Sequence, residues 1–447
     1  MKKTLSLVMT AVLLVQALAS CSDGNTVSGD GTLQTSKTAQ TTAEETEKTE
    51  DTDDGKTYEP EITEVIPDMS TKYADYINYR EYLVNTGKRI NEDKELKVLF
   101  YGGSLTNGYG ASDESKTSWR ARTCSWFTTN FPDTEFSFVN RAIGESGTFL
   151  GTYRLEADVI NESPDLIFLE YAINDKYFAS GYKKTKMRVE TIIREIKEAL
   201  PKTEIVMLIT TDEGCLELNK KGQLHMEGYA HEDIAKAYGV SSLHVGRLLA
   251  ETCNYSPEDF RNYAVDIVHL NDAGYGIYYS CVEEFLLNSL VKANLSIVTK
   301  RDKDVPVQSD ALFDGNRTHI QPTQQLLADS EALGGEGVEY VDKAYTGNTT
   351  AFGYFAVDSE SDVFAFKFTG TEAAVWCNLK NADYLISVDG GEYVQKTSSE
   401  HTPAVLAEDL EPKEHIIKIK MVSGGNKFNI AAVFTRDASM ATKAAKK

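Results

Sequence analysis

Short apolar runs alternate with longer segments of helical periodicity between residues 97 and 295. The apolar runs predict five strands, at residues 98–101, 136–139, 166–171, 205–210 and 240–245. The periodic segments predict helices at residues 117–130, 183–200, 227–238 and 275–291. Strands that alternate with helices favour a parallel sheet covered by helices on both faces. We therefore predict an α/β domain at residues 65–298 with a parallel five-stranded sheet.

The pattern changes after about residue 300, where helical periodicity fades. Glycine-containing turns separate short predicted strands at residues 363–369, 373–378, 384–388, 415–421 and 428–435. Regularly spaced short strands are typical of a β-sandwich, so residues 299–440 are predicted to form a jelly-roll-like accessory domain. Aromatic residues of this part are candidates for stacking on sugars, or else belong to its core. They are Tyr354, Phe355, Trp376, Tyr384 and Tyr393.

The N-terminus has the pattern of a targeting segment. Lys2 and Lys3 precede a mostly apolar stretch at residues 5–18, which is short for a membrane span and typical of a signal peptide. Small residues followed by Cys21 resemble the lipobox of bacterial lipoproteins. The resemblance implies a signal peptide at residues 1–20, lipidation of Cys21 and anchoring to the cell membrane on its extracytoplasmic face. A plain secretory signal or an uncleaved anchor is the alternative.

Composition and charge limit the partners. Residues 21–64 are rich in Thr, Ser, Glu and Asp, so they cannot bury a core and are expected to form a disordered acidic tether. The 447 residues carry a formal net charge of −22. We therefore predict no nucleic-acid partner and membrane contact only through the lipid anchor. The six cysteines include no C-x-x-C pair, which favours free thiols, and we predict no metal and no cofactor.

A serine follows the first predicted strand directly, after Gly102 and Gly103. A hydroxyl on a glycine turn between a buried strand and a helix is where α/β folds place a nucleophile or bind a ligand. Ser104 could also be an ordinary N-cap. A nucleophilic serine needs a base, and the base needs an orienting carboxylate. Asp266 and His269, three positions apart before the last predicted helix, can supply both from one loop.

Two further segments could donate hydrogen bonds to an oxyanion. Gly144 follows the second predicted strand, and its backbone N–H can point at such an oxygen, or the glycine can serve only the turn. Asn174 follows the third strand and could donate its side-chain amide or cap the turn. Together with the N–H of Ser104, these groups would make the three preorganised donors that acyl transfer favours.

The order Ser104, Gly144, Asn174 and His269 resembles that of the SGNH (GDSL-type) hydrolase superfamily, over about residues 95–290. The resemblance implies a three-layer flavodoxin-like fold and ester hydrolysis without a metal. It implies that Ser104, His269 and Asp266 are catalytic and that Ser104, Gly144 and Asn174 form the oxyanion hole.

The sequence departs from the family pattern at three positions. Gly103 replaces the usual aspartate of the first motif, Ala172 replaces a glycine, and Leu270 replaces a frequent proline. These changes leave the nucleophile, the base and the donors in place. Asp175 is expected to brace its loop rather than to act chemically. The six other histidines have no serine or carboxylate at a telling spacing, and we expect structural roles for them: His225, His231, His244, His319, His401 and His415.

These observations predict an exported, membrane-anchored serine esterase that removes O-acetyl groups from polysaccharide. Export, a polar tether and an added β domain resemble the architecture of exported carbohydrate esterases. Three alternatives stay open. One is a sugar O-acyltransferase that uses the same site, a second is a lipase or other acylhydrolase, and a third is a carbohydrate-binding lipoprotein with an inactive hydrolase domain.

Overall fold

The computed structural model describes residues 72–80, 82–178, 181–291, 317–322, 337, 339–341, 354–377, 383–397, 404–425 and 427–437. They belong to one compact unit, Thr63–Lys447. The predicted signal peptide, Cys21 and the tether lie outside the described residues, as does the predicted domain boundary at residues 298 and 299. No helix in the described ranges is long and apolar enough to cross a bilayer.

The first sheet has six strands. They are Ile77–Asn78 (β1), Glu95–Gly102 (β2), Glu135–Asn140 (β3), Leu166–Glu170 (β4), Glu204–Leu208 (β5) and Ser241–Leu243 (β6). The order is β1-β6-β5-β4-β2-β3, with parallel pairing throughout except between β1 and β6. The five predicted strands are thus present and parallel. The expectation of a five-stranded sheet was wrong because the sheet also contains the edge strand β1. This strand has two residues, which are too few to show any alternation.

Eleven α-helices are described in this part of the chain. They are Val84–Lys88 (α1), Ser104–Asn107 (α2), Trp119–Asn130 (α3), Thr148–Leu155 (α4), Ala172–Tyr177 (α5), Gly181–Ala199 (α6), Leu216–Lys220 (α7), Met226–Ala237 (α8), Val245–Thr252 (α9), Pro257–Phe260 (α10) and Asp272–Leu286 (α11). The helix predicted at residues 275–291 starts three residues earlier and ends in a π-helical turn, Leu287–Val291. The others that were predicted, α3, α6 and α8, match within two residues.

The sheet is buried on both faces. Along β2, Val98 and Phe100 point into one apolar cluster, which includes residues of α3, α9 and α11. Leu99 and Tyr101 point into the other, which includes residues of α6 and α8. This burial on both sides explains why the strand is a continuous apolar run instead of an alternating one.

The strand order places the end of β2 at a switch point. Numbered from β2, the parallel strands follow the order 2-1-3-4-5, which is that of doubly wound flavodoxin-like sheets. In such sheets ligands bind beyond the carboxyl ends of the strands where the order reverses. Ser104 lies two residues after the last residue of β2, at the start of α2, and therefore occupies this position.

The C-terminal strands form two antiparallel sheets. They are Arg317–Pro322 (β7), Glu339–Val341 (β8), Tyr354–Val357 (β9), Val363–Gly370 (β10), Glu372–Cys377 (β11), Asp383–Val388 (β12), Val394–Thr397 (β13), Ala404–Ala407 (β14), Lys413–Met421 (β15) and Phe428–Asp437 (β16). One sheet has the order β10-β15-β12-β13. The other has the order β14-β11-β16-β9-β8, with β7 also paired to β16. Side chains from both sheets share one apolar cluster; the jelly-roll-like sandwich stays a prediction.

Two of the aromatic residues proposed for sugar stacking belong to this core. Phe355 and Tyr384 are almost completely buried, so their faces are closed to a ligand. Tyr393 is 38% exposed, and Nζ of Lys420 lies 4.2 Å from its ring centroid. Tyr354 is half-buried, and the side chain of Trp376 lies outside the described part.

The C-terminal strands pack against helix α4. Phe149 and Tyr153 of α4 and Ile143, which precedes it, share an apolar cluster with Phe434 and with small residues of β11 and β16. The rings of Tyr153 and Phe434 stack with centroids 4.9 Å apart. The hydroxyl of Tyr153 donates to Glu372 of β11, and both groups are buried. This contact joins the C-terminal sheets to the segment that contains Gly144.

Candidate active site

Two glycines set the position of Ser104. A Cβ on Gly102 would lie 2.3 Å from Oγ1 of Thr106 and 2.5 Å from the carbonyl oxygen of Glu170. The N–H of Gly103 donates to that same carbonyl at 3.2 Å. The absence of two Cβ atoms therefore lets the chain turn tightly against β4. Ser104 follows at the first position of α2 and is 9% exposed.

His269 and Asp266 lie on one short loop that leads into α11. Oδ1 of Asp266 accepts the backbone N–H groups of Val268 and His269, at 2.8 and 2.7 Å. Its Oδ2 lies 2.7 Å from Nδ1 of His269, and Nε2 of the same ring lies 2.8 Å from Oγ of Ser104. The structure thus brings together the three residues that the sequence singled out for catalysis. With Nδ1 donating to Asp266, Nε2 is free to accept the serine proton.

The loop is held on both sides by contacts that sequence reasoning missed. Asp272, the first residue of α11, accepts hydrogen bonds from the backbone and hydroxyl of Ser112, at 2.8 and 2.5 Å, and from Thr117 at 2.7 Å. A Cβ on Gly110, which has φ +92°, would lie 2.6 Å from the carbonyl oxygen of Leu270. These contacts fix the segment after Ser104 against the His269 loop.

Gly144 and Asn174 both lie beside the serine. The segment before Gly144 continues the pairing with β2, because the N–H groups of Arg141 and Ile143 donate to Phe100 and Gly102. A Cβ on Gly144 would lie 3.8 Å from Cβ of Ser104. Asn174, on α5 directly after β4, approaches the turn from the other strand.

The amide of Asn174 rests on Gly103. A Cβ there would lie 2.5 Å from Oδ1 and 2.9 Å from Nδ2 of the asparagine. Asn174 is 8% exposed, and its Oδ1 has no hydrogen-bond partner among the described residues. The N-cap of α5 is Tyr171, which makes no side-chain cap hydrogen bond, so the role of Asn174 as an oxyanion donor or as a turn cap stays a prediction.

The electrostatic environment keeps Asp266 charged. Burial works to raise the pKa of Asp266, but hydrogen bonds from the backbone and ring of His269 and from the backbone of Val268 outweigh it. They hold the pKa of the carboxyl below its usual value. The carboxylate is therefore available to orient the imidazole and to stabilise its protonated form.

A second carboxyl group lies beneath the serine turn. Glu170, the last residue of β4, is completely buried and accepts hydrogen bonds from Thr106 and Thr210, each at 2.9 Å. Burial raises the pKa of Glu170 to about 7, although both threonines favour its charged form. Thr106 belongs to the same short helix as Ser104, so this carboxyl group supports the turn from below.

Asp175 braces the loop, as expected from the sequence. It accepts the backbone and hydroxyl hydrogens of Thr148, at 2.8 and 2.9 Å, and lies 2.8 Å from Nε2 of His231. The fold gives carboxylate partners to four of the other histidines, for which structural roles were expected. His225, His231, His244 and His415 each lie beside one, and most of these partners are distant in sequence. The side chains of His319 and His401 lie outside the described residues.

The three departures from the family pattern do not disturb the site. Gly103 leaves room for Asn174, as described above. Ala172 and Leu270 are both completely buried and belong to the apolar clusters on opposite faces of the sheet. In the described ranges no group of three or more His, Cys, Asp or Glu side chains could hold a metal ion. Four cysteines there are free thiols: Cys124, Cys215, Cys253 and Cys281.

Comparison with known proteins agrees with this geometry. Residues 100–277 match the model of the GDSL-like Lipase/Acylhydrolase family. This segment is therefore a GDSL-type hydrolase domain, the domain of an esterase. No curated protein sequence matches the chain.

Among solved structures, a two-domain esterase (CEX) active on acetylated mannans has a similar fold. The TM-score is 0.66 at 19% identity, over 82% of this chain and 98% of that one. The same type of esterase co-crystallised with mannopentaose gives a TM-score of 0.65 at 18% identity, with the same coverage. The acetylxylan esterase Axe2 from Geobacillus stearothermophilus has a TM-score of 0.37 at 20% identity, over 42% of this chain and 94% of its own.

Proposed function

We propose that this protein hydrolyses O-acetyl esters of carbohydrate through a covalent acyl-enzyme on Ser104. The observation that carries the proposal is the hydrogen-bonded series from Oγ of Ser104 through His269 to Asp266. A serine hydroxyl becomes an effective nucleophile only when a base accepts its proton, and this series provides the base and its orienting carboxylate.

In the first half of the reaction, Oγ of Ser104 attacks the acyl carbon and its proton moves to Nε2 of His269. The tetrahedral intermediate carries its negative charge on the former carbonyl oxygen. The N–H groups of Ser104 and Gly144 and the amide of Asn174 are the donors for that oxygen. Collapse breaks the ester bond, and His269 returns the proton to the departing sugar hydroxyl.

In the second half, water attacks the acyl-serine and gives its proton to His269. The second tetrahedral intermediate uses the same donors. It releases the carboxylic acid, and the proton on His269 returns to Oγ of Ser104. The protein is left unchanged, and no step needs a metal or a cofactor.

Carbohydrate is proposed as the alcohol part for two reasons. The fold extends over both parts of a two-domain esterase that is active on acetylated mannans. The strongly acidic chain, with a net charge of −22, also favours a neutral polymer over an acidic one. Acetylated mannan is therefore the first polymer to assay, and acetylated xylan is the comparison.

The test measures acetate release from both polymers, together with hydrolysis of nitrophenyl acetate, butyrate and octanoate. We expect acetate release and a preference for the acetyl ester, and we expect Ser104→Ala to abolish both activities. Ser125→Ala, at an exposed position of α3, is the matched control and should behave as wild type. A preference for octanoate would replace the proposal with a lipase. Normal turnover in Ser104→Ala would remove Ser104 as the nucleophile.

We also propose that the protein is exported and anchored through a lipid on Cys21. The basic start, the short apolar stretch and the small residues before Cys21 support this proposal. Membrane fractionation of wild type and Cys21→Ala tests it in a bacterial host that processes lipoproteins. The wild type should sediment with membranes and take up labelled fatty acid, whereas the variant should do neither. Equal distribution of both would contradict anchoring.

A further inference from the structure

Exposed apolar side chains are concentrated around the His269 loop. Ten large hydrophobic side chains are exposed in the described part of the chain, and four of them lie on the elements that form the site. These are Tyr109, Tyr177, Val265 and Ile267, each between 50% and 56% exposed. Exposing several neighbouring apolar groups to water costs free energy. Such a patch beside a reactive centre therefore marks a ligand-binding surface.

The ring of Tyr109 is held against the base. It meets the imidazole of His269 edge-on, with centroids 4.5 Å apart and an interplanar angle of 64°. Its backbone is fixed at both ends, since its N–H donates to Ser104 at 3.0 Å and its carbonyl accepts the hydroxyl of Tyr275 at 2.6 Å. The exposed ring therefore has a defined place next to the reacting atoms.

Tyr177 is held by a different element that reaches the same loop. It lies three positions after Asn174 on α5, so both side chains are on one face of that helix. Its hydroxyl donates to Oδ2 of Asp212 at 2.6 Å, and Asp212 is almost completely buried. The next residue, Glu213, donates its backbone N–H to the carbonyl of Ile267 at 2.9 Å.

Resting on the proposed esterase function, we propose that Tyr109 and Tyr177 form an aromatic subsite for the neutral pyranose ring that carries the acyl group. Each tyrosine has an exposed ring in a fixed position, and Nζ of Lys176 lies over one face of Tyr177, 5.2 Å from the ring centroid, so a ligand would pack on the other face. A ligand that packs on such rings loses little additional conformational freedom, so the contact favours binding. An apolar ring face suits the C–H groups of a pyranose, while its hydroxyls stay in contact with water.

The charges nearby favour a neutral sugar over an acidic one. Lys176, the cation next to Tyr177 in sequence, forms an ion pair with Asp212. Its charge is therefore balanced and offers no net attraction to a uronate. Asp266 adds a negative charge near this surface, because its Oδ2 lies 2.7 Å from Nδ1 of His269, whose ring meets that of Tyr109.

The structure contains a matched control for Tyr177. Tyr182, on α6, is also exposed and also donates its hydroxyl to a carboxylate, that of Asp233. Lys186 pairs with this carboxylate at 3.1 Å, as Lys176 pairs with Asp212. The two Tyr–Asp–Lys groups are alike in chemistry, but no contact with the His269 loop is described for Tyr182. Truncation of Tyr182 therefore tests the effect of losing such a group away from the site.

The experiment compares Tyr177→Leu, Tyr177→Phe and Tyr182→Leu on nitrophenyl acetate and on O-acetylated mannopentaose. The leucine variant at Tyr177 should raise KM for the oligosaccharide by about tenfold, since one lost ring contact is worth about one factor of ten in affinity. Its kcat/KM for nitrophenyl acetate should stay within about twofold of wild type, which is near the resolution of such comparisons. Tyr177→Phe keeps the ring but loses the hydrogen bond to Asp212, so it should raise the oligosaccharide KM less than Tyr177→Leu does, and Tyr182→Leu should resemble wild type.

Binding is measured separately by calorimetry in the inactive Ser104→Ala background. Acetylated mannopentaose should bind Ser104→Ala and bind the double variant with Tyr177→Leu about tenfold more weakly. Equal losses on both substrates in Tyr177→Leu, or unchanged affinity, would overturn the subsite. If wild type hydrolyses nitrophenyl acetate but neither hydrolyses nor binds the oligosaccharide, the subsite is refuted while the esterase chemistry stands. If nitrophenyl acetate is not hydrolysed but the oligosaccharide binds through Tyr177, the proposed function fails and the subsite stands.

Discussion

Gly103 and Asn174 are packed so closely that a methyl group on the glycine would lie 2.5 Å from the amide oxygen of the asparagine. The φ angle of Gly103 is −93°, which other residues also adopt, so the requirement is for space and not for an unusual backbone. This contact gives a physical reason for the glycine at a position where the family pattern that the sequence resembles has an aspartate. In this chain, the space next to Gly103 is filled by the side chain of Asn174, the proposed oxyanion donor.

Gly103→Ala should therefore lower kcat on nitrophenyl acetate by about a hundredfold, because the new methyl group displaces one oxyanion donor. Gly103→Asp, which restores the family motif, should be at least as damaging. Gly276→Ala, on helix α11, is the control. A Cβ on Gly276 would lie 3.7 Å from its nearest atom, Nη1 of Arg122, so this variant should leave turnover unchanged. An active Gly103→Asp variant would show that Asn174 is not held by this contact.

Asp266→Asn should lower kcat by about a thousandfold, because an amide cannot stabilise the protonated imidazole that forms during attack. The C-terminal strands provide a closely matched control. Asp389 lies 2.8 Å from Nδ1 of His415 and also accepts the backbone N–H of Ile416, in the manner of the Asp266–His269 pair. Asp389→Asn should leave turnover unchanged. Comparable losses in both variants would indicate a general effect on folding.

Glu170 should make stability depend on pH around neutrality. Its pKa rises from about 4.5 when unfolded to about 7 when buried. The folded state thus holds a proton that the unfolded state releases between these values. The stabilising contribution is complete below about pH 4.5 and is lost as pH rises through about 7.

Glu170→Gln, which cannot ionise, should remove this dependence. The free energy of unfolding of the variant relative to wild type should increase by about 3 kcal/mol between pH 4.5 and pH 8. Urea unfolding at a series of pH values measures the difference. A constant difference across the range would mean that Glu170 stays charged in the folded protein.

Phe434→Ala should reduce both stability and turnover, because Phe434 packs on Tyr153 and shares a cluster with Ile143, next to Gly144. Removing a buried phenylalanine ring costs about 3–5 kcal/mol. Phe366→Ala is the control, since Phe366 is equally buried in the core of the C-terminal sheets. Both variants should be less stable, but only Phe434→Ala should lower kcat when both are assayed while folded. Equal kcat values in the two variants would show that the packing of Phe434 does not affect the position of Gly144.

The sequence was sufficient to predict the α/β sheet because each parallel strand is an apolar run followed by a break. It also allowed us to predict that Ser104, Asp266 and His269 come together, since each lies in a short segment whose residue types match one chemical role. The strand β1 was missed because two residues cannot show a period. Its pairing with β6 depends on backbone hydrogen bonds such as the one that the N–H of His244 donates to the carbonyl of Tyr76, and these leave no pattern in either segment.

Contacts between distant residues could not be predicted from one sequence. Tyr153 and Glu372 are separated by 219 positions, and neither belongs to a motif. Asp175 was correctly expected to brace its loop, but its partner His231 lies 56 positions away on another helix. Tyr177 could not be singled out from the sequence, because the position of its ring depends on a hydrogen bond to Asp212 that forms only in the folded chain. Such groups become visible only when the chain is folded.

The packing of Phe434 near Gly144 also has a consequence for the order in which the protein matures. The ribosome makes the Gly144 segment first, and Ile143 and Tyr153 then lack their apolar partner until strand β16 has been added. A chain that is still being synthesised can therefore pair the strands of its first sheet while the apolar cluster next to Gly144 is incomplete. Esterase activity should appear only when strand β16 has joined, so that synthesis of this strand and assembly of the candidate active site coincide.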